Sequence, residues 1–523
     1  MTRRVPFRTL CTFGAAVVLL VATACAPLPP SGPPVPPPAP PGPDVPADRP
    51  NVVMILADDL DATTTPYWDA MPRTKELLAD EGLVFDNAFS PTPICCPARA
   101  TILTGQYGHN TDVLTNGGEH GGWESFVEGG GEEKSFAVAL EDSGYHTMLV
   151  GKYLNGIEAD PTHIPPGWSE WYGGIDNMLY TGFGYRLNEN GTLVQYGTAP
   201  TDYATDVIAA KTMDFIHRAE ADDDQPFFAY VAPTAPHLPL AAPPRYADHA
   251  WQGSTAPRTP NYYEPDLSDK SAWLRQSAGS RDGTQGWNDQ DWQDRMGSLL
   301  ALDDLVAGTV ETLRTHGELE NTVIVFVSDN GYNLGSHKLV NKMAPYEESV
   351  RVPMLMTGPG IRTGHETRMV IQPDIAPTIL EIAGIEAPEW TDGRSLVPLL
   401  GDGPGPDRWR TDFVAQYLGG ATAQGIGEEL PPTLSFNLFV LLIGGEIPSY
   451  TAIRTEEHLY VEWDQADMGQ GVGAELYDLA ADPYQLDNLL ATESGRSANA
   501  ALVTQLRNRM THLASCVGAA CRT

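Results

Sequence analysis

Apolar residues along this chain follow two different periods. Consecutive runs rich in β-branched side chains, NVVMILA at 51–57, YHTMLVG at 145–151, PFFAYVA at 226–232 and NTVIVFVS at 321–328, are bounded by Gly, Pro or Asp. Such runs predict strands buried on both faces. In PRTKELLADEG (72–82), KSFAVALEDSG (134–144), DYATDVIAAKTMDFIHRA (202–219) and SLLALDDLVAGTVETLRTHG (298–317) apolar residues return every three or four positions. That period predicts helices, several of them stopped by glycine. FDNAFS (85–90) reads as one further short strand. Strand and helix alternate, which predicts an α/β body with a large, mostly parallel sheet sandwiched by helices.

Beyond DGRSLVPLLGDGPGP (392–406) the pattern changes. YTAIRTEEHLYVEW (450–463) followed by AELYDLAADPYQLDNLL (474–490) predicts a hairpin plus a terminal helix, hence a smaller C-terminal α+β lobe with an antiparallel sheet. The expected organisation is a catalytic domain over 51–405 and a C-terminal subdomain over 406–523. No internal repeat stands out.

Residues 1–24, MTRRVPFRTLCTFGAAVVLLVATA, combine a basic start, an apolar run too short to span a bilayer and small residues before Cys25. This is the pattern of an export signal. VATAC resembles a bacterial lipobox, which would place lipid on Cys25; plain signal cleavage is the alternative. The proline-rich stretch 27–50 favours extended polyproline II, a tether of roughly 70 Å at ~3.1 Å per residue. The expectation is an exported protein, attached to the cell surface through its lipid or otherwise secreted, with no other membrane contact.

An apolar content of 42% over 523 residues excludes general disorder, and a formal charge of −36 opposes binding to nucleic acid or to anionic membrane. Of six cysteines, Cys11 leaves with the signal and Cys25 is the candidate lipid site, so the body keeps Cys95, Cys96, Cys516 and Cys521. In an oxidising compartment Cys516 and Cys521 are expected to bridge. Adjacent cysteines bridge only through a strained ring, so Cys95 and Cys96 need another explanation.

In a sheet of this type sites form outside the carboxyl ends of the strands. Asp58 and Asp59 end the first predicted strand and Asp329 and Asn330 end the last, which gathers four oxygen donors in one place. Such donors suit a hard cation, Ca²⁺ or Mg²⁺.

Cys95-Cys96-Pro97-Ala98-Arg99, then Leu103-Thr104-Gly105, match the pattern C-x-P-x-R-x-x-x-L-T-G in the register of Cys95. The chain thereby resembles the type I, formylglycine-dependent sulfatases. That resemblance implies an alkaline-phosphatase-like fold and oxidation of Cys95 to formylglycine (3-oxoalanine) by a separate formylglycine-generating enzyme. It implies a cation held by Asp58, Asp59, Asp329, Asn330 and the modified Cys95. Arg99 would hold the aldehyde hydrate, while Lys152 in VGKYLNG and Lys342 in VNKMAPYEESVRVP would bind the sulfate group. His237 in APHLP would be substrate-binding and the acid for the departing alcohol. His337 in NLGSHKL resembles the substrate-binding histidine of a bacterial L-G-E-H segment, with Ser336 replacing the acid.

Where many sulfatases read G-K-W-H-L-G this chain reads Gly151-Lys152-Tyr153-Leu154-Asn155-Gly156, losing a histidine. That form, with CCP, TGQYGHNTDV, APRTPNYY and SAWLRQ, is similar to the N-acetylglucosamine-6-sulfatase and extracellular endosulfatase branch. The implied substrate is glucosamine 6-O-sulfate in a heparan- or keratan-type glycosaminoglycan. No basic run offers a groove for a long polyanion, so a short sulfated sugar or another small sulfate ester is equally open. Trp251, Tyr262, Tyr263 and Trp273 are either a sugar platform or loop packing. Two other functions compete: a phosphoester or phosphonate hydrolase of the same superfamily, and a glycan-binding lipoprotein without catalysis. One evident cation site and a complete residue set favour sulfate hydrolysis.

Overall fold

NVVMILA forms the strand Asn51–Ala57 in the middle of a ten-stranded sheet. From edge to edge the sheet runs Gly364–Glu366, Leu83–Phe85, Met354–Thr357, Thr322–Ser328, Asn51–Ala57, Phe227–Ala232, His146–Gly151, Glu170–Gly174, Arg186–Glu189 and Thr192–Gln195. The strands from Thr322–Ser328 through Glu170–Gly174 are mutually parallel. Met354–Thr357 opposes both neighbours, and the last two strands are antiparallel. The computed structural model describes residues 49–63, 66–222, 225–278, 283–419, 447–464 and 473–522. The signal segment 1–24, the Cys25 lipid site and the proline-rich linker to residue 48 lie outside the described residues.

Alternation along the first strand explains why it reads as continuously apolar. Val52, Met54 and Leu56 meet Cys96, Ala100, Leu140 and Ile379 on one face. Val53, Ile55 and Ala57 meet Ile208, Phe215, Leu302 and Val306 on the other. Successive side chains point to opposite faces, and both faces are covered by helices. Each Val, Ile, Leu or Met among them contributes about 1.5–3 kcal/mol by leaving water.

The helices Phe136–Asp142, capped by Ser135 accepting from the Ala137 amide, and Ala204–Ala219 lie where periodicity places them. The long helix Gln285–His316 begins well before the predicted start. Its first turns are polar in sequence, yet Asn288, Asp291, Trp292 and Arg295 are buried there, so tertiary contacts hold a stretch that hydrophobic period does not mark. PRTKELLADEG becomes one α-turn followed by the π-helical turn Lys75–Ala79.

The C-terminal sheet has four antiparallel strands, Asp412–Tyr417, Tyr450–Thr455, His458–Trp463 and Ala474–Asp478. AELYD is therefore its fourth strand and not the start of the terminal helix. Leu459 and Tyr460 pair with Tyr477 and Leu476, and that cross-strand partner decides the conformation. The helix comes later, at Ala500–Leu513, and packs Leu506, Met510 and Leu513 onto the sheet. Cys516 and Cys521 are bridged just beyond it. Phe89, Ile94 and Tyr346 from the larger body enter the same apolar cluster, so the two sheets share packing. Among the described residues no helix is long and apolar enough to cross a membrane.

Candidate active site

Strand register builds the site. Ala57 pairs with Ser328, and Gly151 pairs with Ala232. Asp58-Asp59, Asp329-Asn330, Lys152 and the loop carrying His237 therefore leave the sheet at one edge. The Asp58 amide donates to the Ala235 carbonyl at 3.1 Å, and the Asp59 amide to Asp329 Oδ1 at 3.1 Å. Asp59 has left-handed backbone, φ +68°, which turns the chain sharply and presents both carboxylates. Gly331 follows Asn330 because a Cβ there would stand 2.1 Å from the Glu348 carbonyl oxygen.

CCPARATILT forms the helix Cys95–Thr104, in which every residue is buried. A helix buried all round has no polar face, which is why its sequence lacks an amphipathic stripe. Ile94 is extended and Cys95 is the first helical residue, so Cys95 lies at the positive helix end. Gly105 closes the helix with φ +70°, a conformation that favours glycine.

The neighbouring cysteines diverge, and neither is bridged. Cys95 Sγ lies 3.7 Å from Asp58 Oδ1, 4.0 Å from Asp59 Oδ1 and 3.0 Å from Lys342 Nζ. Cys96 packs into the core beneath, its amide donating to Asn116 Oδ1 at 2.9 Å. Burial pushes the Cys95 thiol up to about 11 despite the pull of Lys152 and Lys342.

Three cations interleave with the carboxylates. Lys152 Nζ donates to Asp58 Oδ2 at 2.7 Å, and Lys342 Nζ to Asp59 Oδ1 at 2.5 Å. Arg99 Nε donates to Asp329 Oδ2 at 2.9 Å and its Nη1 to the Lys152 carbonyl at 2.8 Å. Arg99 Nη2 lies 3.7 Å from Asp58 Oδ2. Burial alone would raise both Asp58 and Asp59. Lys152, His237 and Arg99 hold Asp58 below its ordinary value, and Lys342 and His237 do so for Asp59. Asn330 Nδ2 donates to Asp59 Oδ1 at 2.7 Å, while its Oδ1 is buried with no hydrogen-bond partner.

His237 Nδ1 donates to the Leu238 carbonyl at 2.5 Å, which leaves Nε2 as the atom facing the cluster, 3.5 Å from Asp59 Oδ2. Burial lowers its pKa to about 4. The donor atoms of Asp58, Asp59, Cys95 and His237 all lie within 4.8 Å of one another. Asp329 stands behind this group with both oxygens engaged, Oδ1 by the Asp59 and Asn330 amides and Oδ2 by Arg99.

His337 is elsewhere. It is fully buried, with Nδ1 2.6 Å from Glu264 Oε2 and its ring 4.6 Å from Tyr346. Its partners are Glu264, Asn261 and Tyr346, none of them Cys95 or one of the four oxygen-donor residues, so the structure gives it a bracing position apart from that group. The four aromatic side chains named with the loops pack against other parts of the protein. Trp273 is buried against Trp463, Trp251 packs on Trp292, and Tyr262 pairs with Tyr263 under Arg258. Leu154, at the position of the missing histidine, is buried in the core.

Two site residues carried no sequence signal. Tyr180 lies 4.4 Å from the His237 ring with Lys152 Nζ 5.0 Å above it, and its hydroxyl accepts from Asn155 Nδ2 at 3.3 Å. Arg295, 1% exposed, donates to the Asp59 carbonyl at 2.6 Å and to the Pro236 carbonyl at 3.3 Å, tying the Asp59 turn to the His237 loop. Both sit far from any motif. Asn155 alone was marked, through the Gly151–Gly156 segment.

Comparison with known proteins agrees with this geometry. The Sulfatase family model matches residues 50–385. The N-acetylglucosamine-6-sulfatases of Capra hircus and Homo sapiens are each 34% identical over 91% of this chain, covering 85% and 86% of their own lengths. A Drosophila melanogaster extracellular sulfatase homologue is 36% identical over 73% of this chain and 34% of its own. A solved structure in complex with its substrate D-glucosamine-2-N,6-O-disulfate has a TM-score of 0.69 at 22% identity, covering 88% of this chain and 97% of that one. A phosphonate monoester hydrolase from Silicibacter pomeroyi has a TM-score of 0.64 at 22% identity over 89% of this chain and 96% of its own, a likeness of fold. With the family pattern spanning the whole larger sheet and a third of all residues shared with two curated members, the chain belongs to the sulfatase family and is a sulfuric ester hydrolase.

Proposed function

We propose that this sulfatase removes the 6-O-sulfate of glucosamine units, using formylglycine made from Cys95 and a Ca²⁺ ion held by Asp58, Asp59, Asp329 and Asn330 beside it. The observation that carries this reading is the convergence of Cys95 Sγ, two ionised buried aspartates and three buried cations at one sheet edge. The donor set suits a hard cation, and the partnerless Asn330 Oδ1 is a buried acceptor that an ion would satisfy. Several carboxylate oxygens and an amide oxygen in one place favour Ca²⁺ over the more strictly octahedral Mg²⁺. When present, the hydrated aldehyde supplies one hydroxyl to attack sulfur and another whose deprotonation releases sulfate, with the ion offsetting charge.

This chain's own residues do the rest. Lys152 and Lys342 face the sulfuryl oxygens with fixed positive charge, in a buried setting where water competes little. Arg99 orients Lys152 through its carbonyl and Asp329 through its carboxylate. His237 Nε2 is placed to give a proton to the departing alcohol oxygen. An anionic ester next to the ring raises its pKa from about 4, toward the imidazolium that gives the proton. Tyr180 walls the site next to His237 and Lys152.

Cys95 is 1% exposed at the start of a helix buried on every side, so its oxidation has to precede folding. Extracellular relatives agree with export, and lipid on Cys25 would retain the protein at the cell surface. The glucosamine preference rests on the 34% identical N-acetylglucosamine-6-sulfatases and on the Gly151–Gly156 segment.

A panel of defined sulfated sugars tests the reading. Turnover of glucosamine 6-O-sulfate is expected above that of glucosamine N-sulfate and of 4-O-sulfated galactosamine, and the reverse ranking would remove the substrate assignment. Higher kcat/KM on an aryl phosphate than on the matching aryl sulfate would favour the phosphoester alternative. Arg295→Met is expected to lower kcat on the order of 10-fold or more with little change in KM, because it loosens the Asp59 turn against the His237 loop without touching substrate. Added guanidinium should restore part of that kcat; a loss that guanidinium does not rescue would remove the positioning role. Cys96→Ala should be converted normally and keep most activity, at a stability loss of about 1–2 kcal/mol for a small buried group; peptide mass and steady-state rates check both.

A further inference from the structure

Before oxidation, Cys95 belongs to a donor set of a different character. Its Sγ, carboxylate oxygens of Asp58 and Asp59, and the imidazole of His237 lie within a mutual 4.8 Å, the first three residues buried and His237 partly buried. Sγ stands 3.7 Å from Asp58 Oδ1, and Nε2 stands 3.5 Å from Asp59 Oδ2. Four ligands at Zn–S and Zn–N/O bond lengths around one tetrahedral zinc are separated by about 3.3–3.8 Å. These two separations match that edge length, and no pair in the set is farther apart than 4.8 Å.

Two details prepare the set for a metal. The Nδ1–H of His237 is committed to the Leu238 carbonyl, the arrangement that fixes a ligating imidazole with its Nε2 lone pair forward. The lysines occupy the opposite carboxylate oxygens: Lys152 holds Asp58 Oδ2 and Lys342 holds Asp59 Oδ1. Asp58 Oδ1 and Asp59 Oδ2 are the oxygens nearest the sulfur and the imidazole respectively. The contact that has to break is Lys342 Nζ to Sγ, made by the end of a flexible side chain.

We propose that chains whose Cys95 has escaped oxidation bind one Zn²⁺ through Cys95, Asp58, Asp59 and His237. Binding replaces the thiol proton, which passes to solvent, by a sulfur–zinc bond, with no change of oxidation state. Conversion of Cys95 removes the sulfur and leaves a site of oxygen donors, so a single side-chain oxidation switches the site from a borderline-soft metal to a hard one. Unconverted protein is thereby a zinc protein, closed to sulfate esters. This extends the functional reading to the unconverted state but does not depend on the substrate.

The test uses full-length protein produced without the converting enzyme, its free thiol confirmed by peptide mass, stripped of metal and titrated with Zn²⁺ against a chromophoric chelator and separately with Co²⁺. One equivalent of each is expected, Co²⁺ giving the thiolate-to-cobalt charge-transfer band in the near ultraviolet, with excess Ca²⁺ failing to displace Zn²⁺. Cys95→Ser should abolish the band, and His237→Ala should weaken binding at least about 100-fold, while Cys96→Ser keeps both. Absence of the band in the unsubstituted protein overturns the proposal whatever the variants do, as does zinc binding that survives intact in Cys95→Ser. A converted protein that hydrolyses no sulfate ester would instead remove the functional reading and leave the zinc result standing.

Discussion

Cys95→Ala is expected to stop turnover, by on the order of 10⁴-fold or more, the scale seen when a nucleophile is deleted from an intact site. Alanine offers neither the attacking nor the eliminating hydroxyl, while Asp58, Asp59, Asp329 and Asn330 are unchanged. Calcium should therefore still raise the thermal midpoint of the inactive protein. In the active protein, the tryptic peptide from Glu76 to Arg99 should have lost one sulfur and two hydrogens and gained one oxygen. Fragmentation should place that change on residue 95. The two cysteines are adjacent in sequence yet stand in different surroundings: Cys95 Sγ faces Lys342 and two aspartates, and Cys96 lies among core side chains. Full activity in Cys95→Ala, or modification found on Cys96, would end the mechanism. An inactive protein with unmodified Cys95 is the species that the zinc experiment requires.

Arg99→Met should cost about 3–5 kcal/mol of stability, the usual penalty for removing one partner of a buried charge cluster. Arg99 is fully buried, and its guanidinium reaches Asp329, Asp58 and the Lys152 carbonyl at once. Methionine fills much of the volume but leaves Asp329 Oδ2 without its 2.9 Å donor. Arg99→Lys should recover only part of the loss, since an ammonium cannot reproduce the planar fork. Urea midpoints at unchanged m-value measure both variants. A loss under about 1 kcal/mol for Arg99→Met would show that the cluster is not held by this side chain. Turnover should fall with stability in both, because Lys152 and Asp329 take their positions from the same guanidinium.

Much of this was legible in the sequence, for physical reasons that differ by element. The central strands are buried on both faces, so runs such as NVVMILA and TVIVFVS declare themselves without a partner. Once they are parallel neighbours, the residues after them share an edge, which is how Asp58, Asp59, Asp329 and Asn330 could be grouped at a separation of 270 positions. The family pattern around Cys95 then supplied Arg99, Lys152, His237 and Lys342, all of which the structure brings to that edge.

What the sequence could not decide depends on partners distant in the chain. AELYD carries no clear period and becomes a strand because HLYVEW lies beside it. The polar first turns of the long helix are helical because the fold buries them, and one of those turns delivers Arg295 to the Asp59 carbonyl. His337 sits in a motif-like segment but is drawn into a separate buried network by Glu264 and Asn261. Tyr180 comes from the 3-10 helical turn Asn177–Thr181, which carries no motif, and meets His237 only in the folded chain. Local pattern fixes what a segment tends to be and which strand ends face one way. Which side chain then fills the remaining space beside His237 is settled by three-dimensional packing, whose contacts join positions far apart in the chain.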